Sequence, residues 1–293
     1  MFARSWKPST LWNLASPLPL VLGHGYYGKM TKAKHEVFRY PLSRFGTIDL
    51  GQIGRRKHHI AGLLEVDVTE AIAHTRKLRA GGRGISFFAW MVKTISTAIA
   101  ENPYIHALEG RKRHTVVFED IDISIMVEKV VEGDRVPLPL LIRKTNDKTA
   151  EVIHAEIQAA QSQQIKDEYD YVLTEEKLPR IVMRLYYTLP QWLRLFLIKR
   201  ILRNPHRSKA MMGTAIITSV GTAGHLSGWI IPKAMHNLCF ALGPIVKKPW
   251  VVANRIEIRD ILHLTVLVDH DVVDGAPVAR FIARLLARIQ NGI

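Results

Sequence analysis

Val268-Asp269-His270-Asp271-Val272-Val273-Asp274-Gly275-Ala276 follows the apolar run Leu262 to Val268 and precedes a helical pattern, Ala276 to Gln290. A histidine therefore leaves the end of a strand, and an Asp-Gly pair follows four residues later at a helix start. The spacing His-x-x-x-Asp-Gly arises by chance about 0.03 times in a chain of this composition. Most histidines are surface residues or satisfied core residues. His270 differs in sitting at a strand end, between two aspartates, beside a glycine turn. A neutral imidazole there can take a proton from a thiol or alcohol near pH 7. Asp274 is placed to orient the loop or accept a hydrogen bond, and Gly275 lets the backbone approach a substrate closely.

A second stretch lies upstream, Gly213-Thr214-Ala215-Ile216-Ile217-Thr218-Ser219-Val220-Gly221-Thr222-Ala223-Gly224. It reads as a strand, Thr214 to Val220, that ends in hydroxyls and opens into a glycine loop. Thr218 and Ser219 are candidate donors to an oxyanion, and Gly221 and Gly224 are candidate backbone contacts. Taken alone, the stretch reads more readily as an ordinary strand and turn.

Working outward, residues 36–165 alternate strands and helices. Glu65 to Thr69 ends a strand, and Glu70 to Leu78 is a helix with Thr69 as its N-cap. Ile85 to Glu101 is apolar over much of its circumference, so it predicts a buried helix, stopped by Asn102-Pro103. Thr115 to Phe118, Ile121 to Val127 and Leu138 to Arg143 read as strands, with a turn at Gly133-Asp134. Lys148 to Ser162 is a helix. Beyond Gly213, Phe240 to Ile245, Val251 to Ile256 and Leu262 to Val268 are expected as three strands. No repeat is present at any period from 20 to 50 residues.

Two pieces stand apart. Residues 1–35 hold no acid and carry Arg4, Lys7, Lys29, Lys32 and Lys34. Pro17 and Pro19 interrupt their short apolar run, which favours a basic arm over a signal peptide. Residues 166–209 begin acidic, then run from Arg180 to Lys209 with no acid, basic residues alternating with Tyr186, Tyr187, Trp192 and Phe196. Pro190 separates two expected amphipathic helices. They read either as a pair packed on the domain with a wet arginine face or as a contact with an anionic membrane.

The composition fits a globular protein: 293 residues, 47% apolar, 23% charged, net charge +15. One cysteine, Cys239, excludes an internal disulfide and a multi-cysteine metal site, and its apolar neighbours predict a buried thiol. No metal site, P-loop or dinucleotide-binding glycine motif is found. No run of about 18 apolar residues suggests a spanning helix. The positive charge calls for an anionic partner: nucleic acid, lipid or a phosphorylated small molecule.

Asp269 to Ala276 and Gly213 to Gly221, in this order near the C-terminus, resemble the two signatures of the 2-oxoacid dehydrogenase acyltransferases (dihydrolipoamide acyltransferases). Their catalytic domain shares a fold with chloramphenicol acetyltransferase. Glu65 to Thr69, Ile85 to Tyr104 and the hairpin Ile121 to Arg143 are similar to further family elements. The resemblance covers roughly residues 55–165 and 211–293. It implies an α/β fold (an α+β two-layer sandwich), a mixed sheet covered by helices, here with a helical insertion at 166–209. One catalytic domain, 36–293, then follows the arm 1–35. The resemblance further implies His270 as general base, Asp274 as holder of the site's architecture and Thr218 as oxyanion donor where the family has serine. Ser219, Gly221, Gly224 and Gly275 would line the cofactor side. It implies coenzyme A as substrate, no metal, and a homotrimer whose active site lies between subunits. Asp271 stands where the family has arginine. No lipoyl domain is expected, since the residues before the matched region are too few to form one.

The resulting expectation is a stand-alone CoA-dependent acyltransferase passing an acyl group to a thiol, hydroxyl or amine acceptor. It would be cytoplasmic, with peripheral membrane contact through residues 178–209. The alternative is a non-catalytic trimeric scaffold or membrane-associated assembly protein on the same fold. Nucleic-acid binding is disfavoured, because the basic residues are dispersed and no recognition motif is present.

Overall fold

Period-two alternation of apolar residues builds the centre of the molecule. The computed structural model describes residues 40, 42–110, 112, 114–131, 134–163, 180–219 and 227–292. The elements in chain order are α1 (Leu42–Gly54), β1 (His59–Asp67), α2 (Thr69–Ala80), α3 (Phe87–Ala100), the short strands β2 (Leu108–Glu109) and β3 (Thr115–Val116), β4 (Ile123–Val131), β5 (Asp134–Ile142) and α4 (Ala150–Ser162). They continue with α5 (Arg180–Thr188), α6 (Gln191–Leu202), α7 (Pro205–Met212), β6 (Ala215–Ser219), β7 (Leu238–Val252), β8 (Arg255–Asp269) and α8 (Gly275–Asn291).

Six strands form one sheet in the order β1-β8-β7-β6-β4-β5. The pairs β4–β6 and β6–β7 are parallel and the others antiparallel, so the sheet is mixed. One face presents Val66, Leu264, Phe240, Ile217, Ile125 and Leu140 to a helical layer that contributes Met91, Ile95, Ile153, Phe281 and Leu285. Phe240 and Phe281 meet with ring centroids 6.2 Å apart, each burial stabilising by about 1.5–3 kcal/mol. This is the two-layer α/β arrangement expected from the sequence.

Local chemistry fixes the helix ends. Ser86 caps α3 by accepting from the Ala89 amide, and Thr149 caps α4 by accepting from Val152. Helix α8 stops at Gly292, which takes the left-handed conformation at φ 68°.

Several expectations need correction. Thr69 is the first residue of α2, not its cap; Val68 holds that place and makes no side-chain cap. The Thr69 hydroxyl instead accepts from the Asp260 amide at 2.8 Å, tying α2 to β8. Phe240 to Ile245 and Val251 to Ile256 are not separate strands. β7 runs unbroken for 15 residues, and Val251 to Ile256 spans the turn into β8, where Ala253 and Asn254 have φ of 47° and 63°. Two consecutive residues at positive φ suit the tight turn of a twisted hairpin. Among the described residues the basic insertion holds three helices rather than two, because Asn204 and Pro205 start α7: the Asn204 side chain accepts from the His206 and Arg207 amides. Residues 1–35 and the acidic segment 166–176 lie outside the described residues.

Candidate active site

β8 ends in a buried carboxylate and an exposed imidazole. Along the strand, Leu264, Val266 and Val268 enter the core, while Thr265, Leu267 and Asp269 face the other side of the sheet. Asp269 is 1% exposed and accepts from the Lys57 ammonium at 2.8 Å. Lys57 also donates to Asn237 Oδ1 at 2.6 Å, and the Asn237 side chain donates to the Ala107 carbonyl. The backbone is pinned as firmly: Asp269 N–H donates to Asn237 O, and His270 N–H donates to His58 O at 3.0 Å. Val272 and Val273 N–H both donate to Asp269 O, closing the turn into α8. The His270 side chain is thus presented to solvent from a braced main chain.

Asp271 turns away to His58, whose Nδ1 lies 3.0 Å from both carboxylate oxygens. The hydrogen bond to Asp271, then its charge, raises the His58 pKa above the ordinary histidine value. Asp274 supplies the N-cap position of α8, and its carbonyl accepts from Val278. Its carboxylate has no hydrogen-bond partner or ion pair among the described residues. Gly275 opens the helix, and a Cβ there would meet open space, so close packing within the chain does not require glycine.

The upstream hydroxyls lie elsewhere on the sheet. The chain passes from α7 to β6 through Gly213, where φ is 78° and a Cβ would lie 2.5 Å from the Asp122 carbonyl, so only glycine fits. Two buried histidines then clasp the residues feeding the strand. His106 faces the Thr214 hydroxyl with Nδ1 at 2.9 Å and donates from Nε2 to Phe118 O. His236 donates from Nε2 to Met212 O at 2.9 Å. Burial pushes both histidines down to about 4, so both are neutral near pH 7. Thr218 is half-buried and Ser219 exposed at the end of β6; Gly221 and Gly224 lie outside the described residues.

Thr218 pairs with Ala241, and Ala241 with Thr265. His270 is five residues beyond Thr265 and two strands across from Thr218. At strand spacings this separates Thr218 from His270 by roughly 19 Å within one chain. The fold therefore groups His270 with Asp271, Asp274 and Gly275, and Thr218 with Ser219, at two separate places on the sheet. Lys57, His58 and Asn237 were not singled out from sequence. They come from the segment before β1 and the segment before β7: the pairing of β1 with β8 brings Lys57 and His58 to His270, and the pairing of β7 with β8 brings Asn237.

Residues 197–292 match the family model of the 2-oxoacid dehydrogenases acyltransferase (catalytic domain). The dihydrolipoyllysine-residue acetyltransferase component of the pyruvate dehydrogenase complex of Acholeplasma laidlawii is 38% identical over 79 residues, 27% of this chain and 14% of that protein. The lipoamide acyltransferase component of the branched-chain alpha-keto acid dehydrogenase complex of Bacillus subtilis (strain 168) is 24% identical over 265 residues, 84% of this chain. The chain spans about half of that relative, 53% of its length. Among solved structures, a probable dihydrolipoamide acetyltransferase from Listeria monocytogenes 4b F2365 superposes with a TM-score of 0.64 at 18% identity, covering 88% of this chain and 95% of that one. A dihydrolipoamide acetyltransferase from Azotobacter vinelandii gives 0.62 at 17% identity, covering 94% and 97%. Residues 197–292 thus match the catalytic-domain family of the 2-oxoacid dehydrogenase acyltransferases, and the described residues share the fold of dihydrolipoamide acetyltransferase cores.

Proposed function

We propose that this protein transfers an acyl group between a coenzyme A thioester and a thiol, hydroxyl or amine acceptor, with His270 as general base. The observation that carries the reading is the presentation of His270. Its imidazole is exposed at the end of β8 while Asp269, Lys57 and His58 fix its main chain. A thioester is already activated, so a positioned base and an oxyanion donor suffice for the transfer. The acceptor attacks the thioester carbonyl while His270 takes the acceptor proton. The tetrahedral oxyanion accepts a hydrogen bond from the Thr218 hydroxyl. Collapse breaks the carbon–sulfur bond, and His270 returns the proton to the departing CoA thiolate.

The roughly 19 Å between Thr218 and His270 gives this proposal a quaternary consequence. One copy supplies the base and a neighbouring copy the hydroxyl, as in the homotrimer that the family resemblance implies. The outer half of the β7–β8 hairpin supports such an assembly, since Ile245, Val251, Ile256 and Ile258 are exposed along it. The names of the relatives make a dihydrolipoyl thiol the first acceptor to assay.

The test combines two measurements on the purified chain: CoA binding by calorimetry, and thiol release from a panel of acyl-CoA thioesters with dihydrolipoamide, alcohols and amines as acceptors. Saturable CoA binding together with acceptor-dependent thiol release is expected. Absence of both would move the protein to the non-catalytic scaffold reading.

A further inference from the structure

Helix α6 departs from an ordinary surface helix in its one fully buried residue and in what it exposes. An ordinary one buries its apolar stripe and leaves its charges in water. In α6 the buried residue is Arg194, 5% exposed. Its Nε donates to Asp49 Oδ2 at 2.6 Å and its Nη2 to Oδ1 at 3.2 Å, while Nη1 reaches the Leu189 carbonyl at 2.7 Å. Tyr186 of α5 and Gln191 of α6 donate to the same carboxylate. The helix pair is therefore anchored to α1 through a saturated, charged clamp.

Leu193, Leu195 and Ile198 are half-buried beside this clamp, while the outward faces still carry large apolar side chains. Trp192 is 69% exposed and Phe196 56%, and Arg200 continues the same stripe at helical spacing, with Arg203 just beyond the helix end. On α5, Ile181 and Leu185 point outward beside Arg184. No acidic residue occurs between Glu176 and Glu257, so nothing in this part of the sequence neutralises these arginines locally. Among the described residues no helix is long and apolar enough to cross a membrane.

We propose that α5 and α6 dock this protein on an anionic phospholipid surface, lying in the plane of the interface. Trp192, Phe196, Ile181 and Leu185 enter the acyl boundary, and Arg184, Arg200 and Arg203 meet headgroup phosphates. The occupant follows from the mixture. A nucleic acid would use the arginines and gain little from exposed isoleucine and leucine. A lipid interface takes aromatic, aliphatic and cationic side chains together. The proposal does not depend on acyl transfer.

The experiment is co-sedimentation of the full chain with extruded vesicles, phosphatidylcholine alone against phosphatidylcholine with phosphatidylglycerol. Binding to the anionic vesicles, weakened by salt, is expected, with little binding to phosphatidylcholine. Trp192→Ser/Phe196→Ser and Arg200→Gln/Arg203→Gln should each lower partitioning at least about tenfold, with unchanged circular dichroism. His270→Ala should bind as the native chain does, so failure of the acyltransferase reading would leave this result standing. No binding to anionic vesicles, equal binding to neutral ones, or full binding by both double variants would overturn the proposal. So would a change of oligomeric mass in Trp192→Ser/Phe196→Ser, which would assign the face to a second copy of the chain.

Discussion

The Asp271 carboxylate sits 3.0 Å from His58 Nδ1, immediately beyond the imidazole proposed as base. Asp271 stands where the family resemblance implies an arginine, and His58 brings a positive charge to its side when protonated. The main chain links the same residues, since His270 N–H donates to His58 O. Removing His58 takes away the side chain that holds Asp271 beside the turn carrying His270. His58→Ala and Asp271→Asn are therefore each expected to lower thiol release several-fold, and the double variant to lose no more than either single one. Native activity in both single variants would separate this pair from the chemistry.

Lys57 and Asp269 form a nearby pair with a structural task. Asp269 is buried, so Lys57→Met leaves a carboxylate without its cation. A loss of about 3 kcal/mol in urea unfolding is expected, together with lower activity because Asp269 begins the turn that carries His270. An unchanged urea midpoint would contradict the clamp.

The Asp49–Arg194 pair predicts a non-additive result. Arg194→Met alone strands a buried carboxylate and should cost about 3–5 kcal/mol, or release α1 to proteolysis. The double variant Asp49→Leu/Arg194→Met should recover most of that loss, because a buried ion pair is often replaceable by apolar residues. Equal instability of single and double variants would refute this view of the clamp.

Acid should act first on the strand that carries Thr218. His106 and His236 are held down to about 4, below the unfolded value near 6.5. Between these values the unfolded chain binds more protons than the folded one. Stability is then full above about pH 6.5 and falls as pH drops toward 4, by up to about 3 kcal/mol per histidine. Glu65 and Asp67, whose pKa values are lowered, lose their contribution at still lower pH. Chemical denaturation at pH 7 and pH 4.5 should show the difference, and a flat profile across that window would contradict it.

If Thr218 and His270 meet between copies, mixed assemblies should recover function. Refolding Thr218→Val with His270→Ala together should restore activity that neither variant has alone. The absence of any recovery in confirmed mixed oligomers would place both groups within one chain.

Much of this architecture was legible in the sequence because it obeys local rules. The apolar run into His270, the helix start at Asp274-Gly275 and the buried helix α3 all announce themselves by periodicity and caps. The missed features are those that leave the core or join distant segments. β7 looked broken because Lys247, Lys248 and Pro249 fall where the hairpin projects beyond the helical layer and the apolar pattern lapses. α7 carried a readable Asn-Pro start that the basic pattern obscured. The partners of Asp269, Asp271 and Asp49 lie 137 to 213 residues away in sequence, and no local spacing encodes them. The separation of Thr218 from His270 follows from strand order and register together.

The central claim is that His270 is the base, and the direct measurement is steady-state thiol release by the native chain and His270→Ala under saturating acyl-CoA and acceptor. The account predicts a fall of at least about 100-fold in kcat, with CoA affinity by calorimetry unchanged. Activity within about twofold of the native chain would contradict it, since general-base catalysis contributes at least the larger factor.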